Sequence, residues 1–212
     1  MVEFNADVDG ALEDAASFAV GYGGDTSNFL VAAARSGARA GYVTRIGDDA
    51  FGRVLTRLWE REGVDTTHVV REPGGRTGVY FIARGPAGHG FTYYRAGSPA
   101  SRLSPADVPE QAVAQARLLH VTGITQAIGA SACDAALHAM AVARAQGTLV
   151  SYDPNYRSAL WTQEQARAVI LRSLELCDIA LPNMEEGRML TGSSPRRRCC
   201  GRCAPGARRW WC

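Results

Sequence analysis

The sequence contains no lysine, because all 23 of its basic residues are arginine. A P-loop nucleotide site needs a lysine on the phosphates and a Schiff-base enzyme needs a lysine amine, so both classes are excluded. No apolar run approaches the roughly 18 residues of a membrane span, and the opening Met-Val-Glu-Phe-Asn is unlike a basic and then apolar signal segment. We therefore expect a cytoplasmic protein with no membrane partner.

Acidic residues are missing from residues 193–212, which hold six of the arginines and four of the six cysteines. The formal charge of +2 comes from this tail, since residues 1–192 carry 17 basic and 21 acidic residues. A nucleic-acid partner is therefore not expected, because such proteins carry their basic residues on a folded face. The tail has neither helical nor strand periodicity, so we predict no packed element in it.

Two interpretations of this Arg/Cys-rich tail stay open, a zinc-binding segment and a frameshifted reading of the gene. Cys200 and Cys203 have the spacing of a zinc ligand pair, but no histidine or second pair completes the set. The abrupt change of composition is what a frameshifted reading of a GC-rich gene produces, and this is our hypothesis for its origin.

The remaining residues, 1–192, alternate between helical and strand patterns and predict one α/β domain with a largely parallel sheet. Short β-rich runs interrupt the alternation and predict a small antiparallel sheet inserted at about residues 69–95. Helices are predicted at 25–36, 49–62, 131–146, 162–176 and 183–192, core strands at 40–46, 118–121, 148–152 and 179–181, and inserted strands at 69–71, 77–84 and 90–94.

The segment Gly23-Gly24-Asp25-Thr26-Ser27-Asn28 places two glycines where a helix begins. Glycines there let backbone N–H groups approach a polar ligand, although a tight turn with an Asp or Thr N-cap explains the segment equally. The stretch from Gly23 to Gly47, closed by Asp48 and Asp49, resembles the N-terminal signature of the ribokinase-like (PfkB) family of carbohydrate kinases.

Four further segments look like the corresponding parts of 2-keto-3-deoxygluconate kinases in that family. They are Thr77-Gly78-Val79-Tyr80, Tyr93 to Ser101, Thr122-Gly123-Ile124, and Asp153-Pro154-Asn155-Tyr156-Arg157 with Leu160-Trp161. The resemblance implies a ribokinase-like three-layer sandwich with a mostly parallel sheet, incomplete at the C-terminus. It also implies that the inserted sheet is a lid over the sugar site, which often forms a homodimer contact.

A 2-keto-3-deoxy sugar acid carries a carboxylate and several hydroxyls, so its site needs a cation of fixed geometry and hydroxyl partners. Arginine and tyrosine supply these groups, although on an exposed strand they are commonly surface residues. The resemblance implies substrate contacts from Gly24, Asp25, Asn28, Tyr80, Tyr93, Arg95 and Arg157.

The same resemblance implies ATP and Mg²⁺ as cofactors. Asn155 and Arg157 are expected towards the ATP phosphates. Asn183 and Glu186 are also expected near the nucleotide phosphates, where Glu186 would help to hold the hydration shell of the magnesium ion. An alternative for the last pair is a capping box, because a Glu three residues after an N-cap Asn closes a helix start.

No catalytic residue is assigned, because the family's Gly-Ala-Gly-Asp motif, with its proton-accepting Asp, is absent from this sequence. The family's first strand, with its Gly-Glu pair, is likewise expected to precede Val2. His68, His89, His120 and Cys133 show no metal-ligand spacing, so no metal site is predicted, and His120 is expected in the core.

Three hypotheses follow. The first is a truncated or frameshifted member of a sugar-acid kinase family that is inactive as written, with ribose or fructose as alternative substrates. The second is a non-catalytic sugar-binding or dimerisation module. The third is a nucleic-acid or zinc element in the tail.

Overall fold

The structure is a computed structural model that describes residues 1–85 and 88–192, together with the backbone of residues 209–210. It divides into two compact units, residues 1–102 and residues 103–212. None of the helices in the described part of the chain is long and apolar enough to span a bilayer.

The described residues of the first unit form six strands, two α-helices and two short 3₁₀ turns. Its elements are β1 (Val2–Asp9), β2 (Phe18–Tyr22), α1 (Asp25–Arg35), β3 (Thr44–Gly47), α2 (Ala50–Arg61), β4 (Val69–Glu72), β5 (Val79–Gly85) and β6 (Gly88–Tyr94), with 3₁₀ turns at Leu12–Asp14 and Pro99–Arg102.

Four of these strands form one mixed sheet in the order β2-β1-β5-β6. Strands β5 and β6 pair antiparallel, as the inserted sheet was predicted to do, but β1 joins β5 in parallel and β2 joins β1 antiparallel. Apolar and polar residues alternate strictly from Val2 to Asp9, which is the pattern of a half-buried strand. The sheet therefore has four strands, and two of them, β1 and β2, were not predicted.

Strand β4 is not part of this sheet, so the prediction that residues 69–71 belong to it is wrong. Strand β4 pairs in parallel with β3 in a separate two-stranded sheet, over the register Thr44 to Val69 through Gly47 to Glu72. Arg45 and Glu72 form an ion pair across these strands at 2.9 Å. Strand β3 begins at Thr44 rather than at the predicted residue 40, and Gly41 makes only an isolated bridge to Asp65.

The core of the first unit forms between β1, β3 and one face of α2. Asp49 begins α2 by accepting a hydrogen bond from the Gly52 N–H at 2.7 Å. The spacing predicts Phe51, Leu55, Leu58 and Trp59 on one face of the helix. Leu55, Leu58 and Trp59 are buried there, whereas Phe51 is 37% exposed.

In the part of the second unit that the structure describes, a parallel sheet is accompanied by α-helices and one 3₁₀ turn. Its elements are a 3₁₀ turn (Pro105–Asp107), α3 (Glu110–Gln115), β7 (Leu118–Thr122), α4 (Gly123–Ala127), α5 (Ala130–Gln146), β8 (Leu149–Asp153), α6 (Gln163–Leu176), β9 (Ile179–Ala180), α7 (Met184–Thr191) and β10 (Arg209–Trp210). The strand order is β10-β9-β8-β7.

The predicted strands and helices of this unit are confirmed to within about two residues, because its buried parallel strands are short apolar runs. His120 was expected in the core, but it is half-buried on β7. Its Nδ1 atom lies 3.1 Å from the Ser151 hydroxyl. One prediction for the tail is wrong, since residues 209–210 pair in parallel with β9. The rest of the tail, including Cys200 and Cys203, lies outside the described residues.

Candidate functional site

The start of α1 is shaped by Gly23 and Gly24. Gly24 has a φ of +125°, which L-residues with a side chain rarely adopt. A Cβ atom on Gly23 would lie 1.8 Å from the hydroxyl oxygen of Tyr80. Both positions therefore require glycine, and the reason at Gly23 is the close approach of a predicted substrate residue.

Tyr80 lies on β5, directly opposite Tyr93 of β6. Their rings stack with centroids 5.5 Å apart and planes at 26°. Tyr80 is 7% exposed, and its hydroxyl donates a hydrogen bond to the carboxylate of Glu3 on β1. Burial raises the pKa of Tyr80, and the hydrogen bond and negative charge of Glu3 raise it further, so the phenol stays protonated.

Arg95 follows the last residue of β6 and is half-buried. Burial lowers the pKa of its guanidinium. The carboxylate of Asp25 and, to a smaller extent, the hydroxyls of Tyr93 and Tyr42 raise that pKa and so oppose the effect of burial. The structure thus brings Asp25, Tyr93 and Arg95 into electrostatic contact, and it places Tyr80 beside them through its stacked ring.

Tyr42 is a residue of this site that the sequence analysis missed. Its hydroxyl lies 2.7 Å from the Thr26 hydroxyl in the first turn of α1, and burial raises its pKa to about 12. Its ring meets Trp59 edge to face at 4.8 Å, and the Trp59 indole N–H donates to Ser27 at 2.9 Å. Nothing in the local pattern of residues 40–46 distinguishes Tyr42 from an ordinary strand residue.

Asn28 is exposed on the first turn of α1, one turn beyond Gly24, and its backbone N–H bonds the Gly24 carbonyl at 2.8 Å. The first unit therefore presents a half-buried cation, a carboxylate, three phenols and the start of a helix. A small ligand with a carboxylate and several hydroxyls matches this set of groups.

The loop Asp153-Pro154-Asn155-Tyr156-Arg157 follows β8 in the second unit. Asn155 has a φ of +38°, a conformation that asparagine tolerates better than most residues, and its N–H donates to Asp153 at 3.0 Å. Arg157 is exposed, and its Nη1 donates to the Tyr156 carbonyl at 3.1 Å.

Asn183 and Glu186 form the capping box that the sequence analysis predicted as the alternative to a role near magnesium, and this prediction is confirmed. The Asn183 side chain accepts from the N–H groups of Glu185 and Glu186, each at 2.9 Å. Glu186 is 3% exposed, and its two oxygens accept from the N–H groups of Asn183 at 2.8 Å and Tyr156 at 2.7 Å. Glu186 thus fastens the loop 153–157 to α7, and a direct bond to a metal ion does not fit this arrangement.

The profile of the pfkB family of carbohydrate kinases matches residues 1–198. The chain is 36% identical over 197 residues to 2-dehydro-3-deoxygluconokinase of Thermoproteus tenax, covering 91% of this chain and 59% of that protein. It is also 36% identical over 196 residues to Fructokinase-1 of Oryza sativa subsp. japonica, covering 91% of this chain and 60% of that protein. The chain therefore spans about three fifths of the curated relatives that it matches.

Solved structures show the same fold. A PfkB protein from Polaromonas sp. JS666 superimposes with a TM-score of 0.91 at 38% identity, covering 94% of this chain and 68% of that one. A fructokinase from Xylella fastidiosa with bound ATP superimposes with a TM-score of 0.81 at 25% identity, covering 91% of this chain and 61% of that one. The predicted ribokinase-like α/β fold is confirmed by these likenesses.

Proposed function

We propose that this chain, which belongs to the pfkB family of carbohydrate kinases, forms the sugar-binding part of a kinase for 2-keto-3-deoxygluconate. In such a kinase the γ-phosphate of ATP passes to the terminal hydroxyl of the sugar acid. 2-Dehydro-3-deoxygluconate, which the T. tenax relative's name specifies, is another name for the same compound.

The observation that carries this proposal is the environment of Arg95. A half-buried guanidinium between Asp25, Tyr42 and Tyr93 has lost part of its hydration while keeping its charge. It therefore binds a carboxylate more strongly than an arginine in open water does. A neutral sugar offers that charge hydroxyl oxygens but no negative charge. Gly24, Asp25 and Asn28 at the start of α1, with Tyr80 and Tyr93, are proposed to bind the sugar oxygens, and Arg157 is proposed as a further substrate contact.

Fructose is the second candidate substrate, because the rice fructokinase is as similar to this chain as the T. tenax enzyme is. With fructose bound, the positive charge of Arg95 would have to be balanced by the carboxylate of Asp25 alone. The sugar acid is favoured because it supplies a second partner.

ATP and Mg²⁺ are the proposed cofactors of the complete kinase, and they supply the phosphoryl group and charge neutralisation. Asn155, Arg157 and Asn183 are proposed to face the nucleotide. Glu186 is proposed to act near the hydration shell of the magnesium ion indirectly, by holding the loop 153–157 in place. We place the protein in the cytoplasm, where ATP is available, and cell fractionation checks this.

We further propose that the chain as written transfers no phosphate. The Gly-Ala-Gly-Asp motif of the family is absent from its sequence. Losing a general base costs about 10² to 10⁴ in rate, and losing oxyanion-type donors costs a similar factor at the same step.

The substitution Arg95→Gln tests the sugar-acid site. It removes the charge-assisted contact, so we expect the Kd for 2-keto-3-deoxygluconate, measured by isothermal titration calorimetry, to rise about 10- to 100-fold. Arg39→Gln changes the same charge at an exposed position and is expected to leave the Kd unchanged. Equal Kd values for the two variants would contradict the role of Arg95.

A further inference from the structure

Glu3 is the one charged side chain on β1 that points towards the predicted sugar-binding tyrosines. In the parallel pairing of β1 with β5, Glu3 is the register partner of Tyr80, and Tyr80 is in turn the register partner of Tyr93. The three side chains therefore share one face of the sheet.

The carboxylate of Glu3 is held by two donors. Its Oε1 accepts from the Nδ2 of Asn5 at 2.6 Å, and its Oε2 accepts from the hydroxyl of Tyr80. Both oxygens are engaged, so the side chain has a fixed direction.

Gly21 on strand β2 and Gly23 just after that strand leave room for this arrangement. A Cβ atom on Gly21 would lie 2.9 Å from the Glu3 Oε1, and one on Gly23 would lie 1.8 Å from the Tyr80 hydroxyl oxygen. The Glu3–Tyr80 pair thus packs against Gly21 and Gly23. From Gly23 the chain continues directly into the start of α1.

A phenol has one O–H donor and two acceptor lone pairs. Because the proton of Tyr80 is donated to Glu3, its oxygen faces any further partner only as an acceptor. An acceptor binds a sugar hydroxyl and repels a carboxylate.

We propose that Glu3 is a positioning residue that fixes Tyr80 as an acceptor for a sugar hydroxyl and so orients the sugar acid with its carboxylate towards Arg95. This inference rests on the proposed sugar-acid function and deepens it. Glu3 itself need not contact the substrate.

The test is a binding cycle on the full chain, with 2-keto-3-deoxygluconate as the probe and calorimetry as the readout. We expect Glu3→Ala and Tyr80→Phe each to raise the Kd about 10-fold. The double variant should bind no more weakly than Tyr80→Phe alone, because both changes act through one hydroxyl. Glu3→Gln should stay within about threefold of the unmodified chain, since the amide oxygen still accepts from Tyr80 and the Asn5 amide can turn to accept its N–H₂. Glu13→Ala, at an exposed position, is the matched control.

Two results overturn the inference. One is a Glu3→Ala chain that is folded by circular dichroism and binds the sugar acid like the unmodified chain. The other is a double variant whose loss is the product of the two single losses. If Glu3→Ala does not fold, the cycle is run with Glu3→Gln and Tyr80→Phe, and a Glu3→Gln loss as large as that of Tyr80→Phe overturns the inference.

A readout that needs no sugar separates this inference from the proposed function. In a chain labelled with ¹³Cζ-tyrosine, the Tyr80 resonance is identified by its loss in Tyr80→Phe. It should move in Glu3→Ala and stay in place in Glu13→Ala, and an unmoved resonance overturns the inference by itself. If the resonance moves but the unmodified chain binds no sugar acid, the proposed function fails, and Glu3 is limited to a structural role.

Discussion

Asp49 shows how one side chain can hold a turn, a helix start and a neighbouring segment together. Its carboxylate accepts from the N–H of Gly52 at 2.7 Å, the N–H of Thr77 at 2.8 Å and the Thr77 hydroxyl at 2.8 Å. Burial alone would raise its pKa, but these hydrogen bonds outweigh burial and leave the pKa below the usual range. Asp49 thereby fixes the segment that leads into β5 and Tyr80.

A folded-state pKa below the unfolded value of about 3.9 means that Asp49 stabilises the fold above that pH and loses this contribution as the pH falls through the folded value. We expect Asp49→Asn to lower the free energy of unfolding by about 1 to 2 kcal/mol at pH 7, with a difference that shrinks below about pH 4. Urea unfolding followed by the fluorescence of buried Trp59 measures this. Asp48→Asn, at the exposed neighbour, is the control. An equal loss in both variants, or a loss that persists in acid, would contradict this account.

Single site residues could be predicted from the sequence where a motif requires one particular residue type. Tyr80, Tyr93, Arg95 and Asp25 were predicted as site residues, and their mutual proximity agrees with that role while leaving the role itself a proposal. Glu3 and Tyr42 were missed because their importance arises from tertiary contacts. Glu3 meets Tyr80 across 77 residues, and no local pattern encodes such a contact.

At the element scale, the mixed sheet β2-β1-β5-β6 presents an open edge. All seven residues of its edge strand β6 are exposed, and Tyr94 is 64% exposed. The flanking face adds a shallow apolar depression lined by Leu12, Phe18, Phe81 and Tyr94. An edge strand with unpaired backbone groups and exposed aromatic side chains favours pairing with another chain. We therefore propose that this sheet forms the homodimer contact.

The substitution Tyr94→Asp tests that contact. It places a charge on the edge strand, so we expect the unmodified chain to sediment as a dimer and the variant to sediment as a monomer in analytical ultracentrifugation. Met184→Asp, at an exposed position of α7, is expected to remain dimeric. A monomeric unmodified chain, or a dimeric Tyr94→Asp variant, would rule out this interface.

Elements of the second unit were predicted more accurately than those of the first. Buried parallel strands and capped helices carry strong local signals, such as Thr162 with Gln165 at the start of α6. The mixed sheet was only half predicted, because membership of a strand in one sheet or another depends on long-range pairing. Strand β4 illustrates this, since its sequence suits either sheet and its pairing with β3 decides the outcome.

For the whole molecule, membership of the pfkB family and a length shorter than that of the relatives lead to different expectations about function. The pfkB profile covers nearly the whole chain, yet the chain covers only 59% of the T. tenax relative. Six of the seven predicted substrate contacts lie in the first unit, and Arg157 lies in the second. The family's catalytic motif is not in the sequence. We therefore expect the chain to bind a sugar acid selectively and to transfer no phosphoryl group.

The most direct test is thermal unfolding of the purified chain with 2-keto-3-deoxygluconate, ribose or fructose, each with and without Mg·ATP. At about 100 times Kd, a bound ligand adds about 2.7 kcal/mol, which raises the Tm of a chain of this size by roughly 5 to 10 °C. We predict such a rise with the sugar acid alone, little change with ribose or fructose, and no phosphorylated product when Mg·ATP is present. A rise with fructose but not with the sugar acid, or phosphorylated sugar in the Mg·ATP samples, would contradict the account.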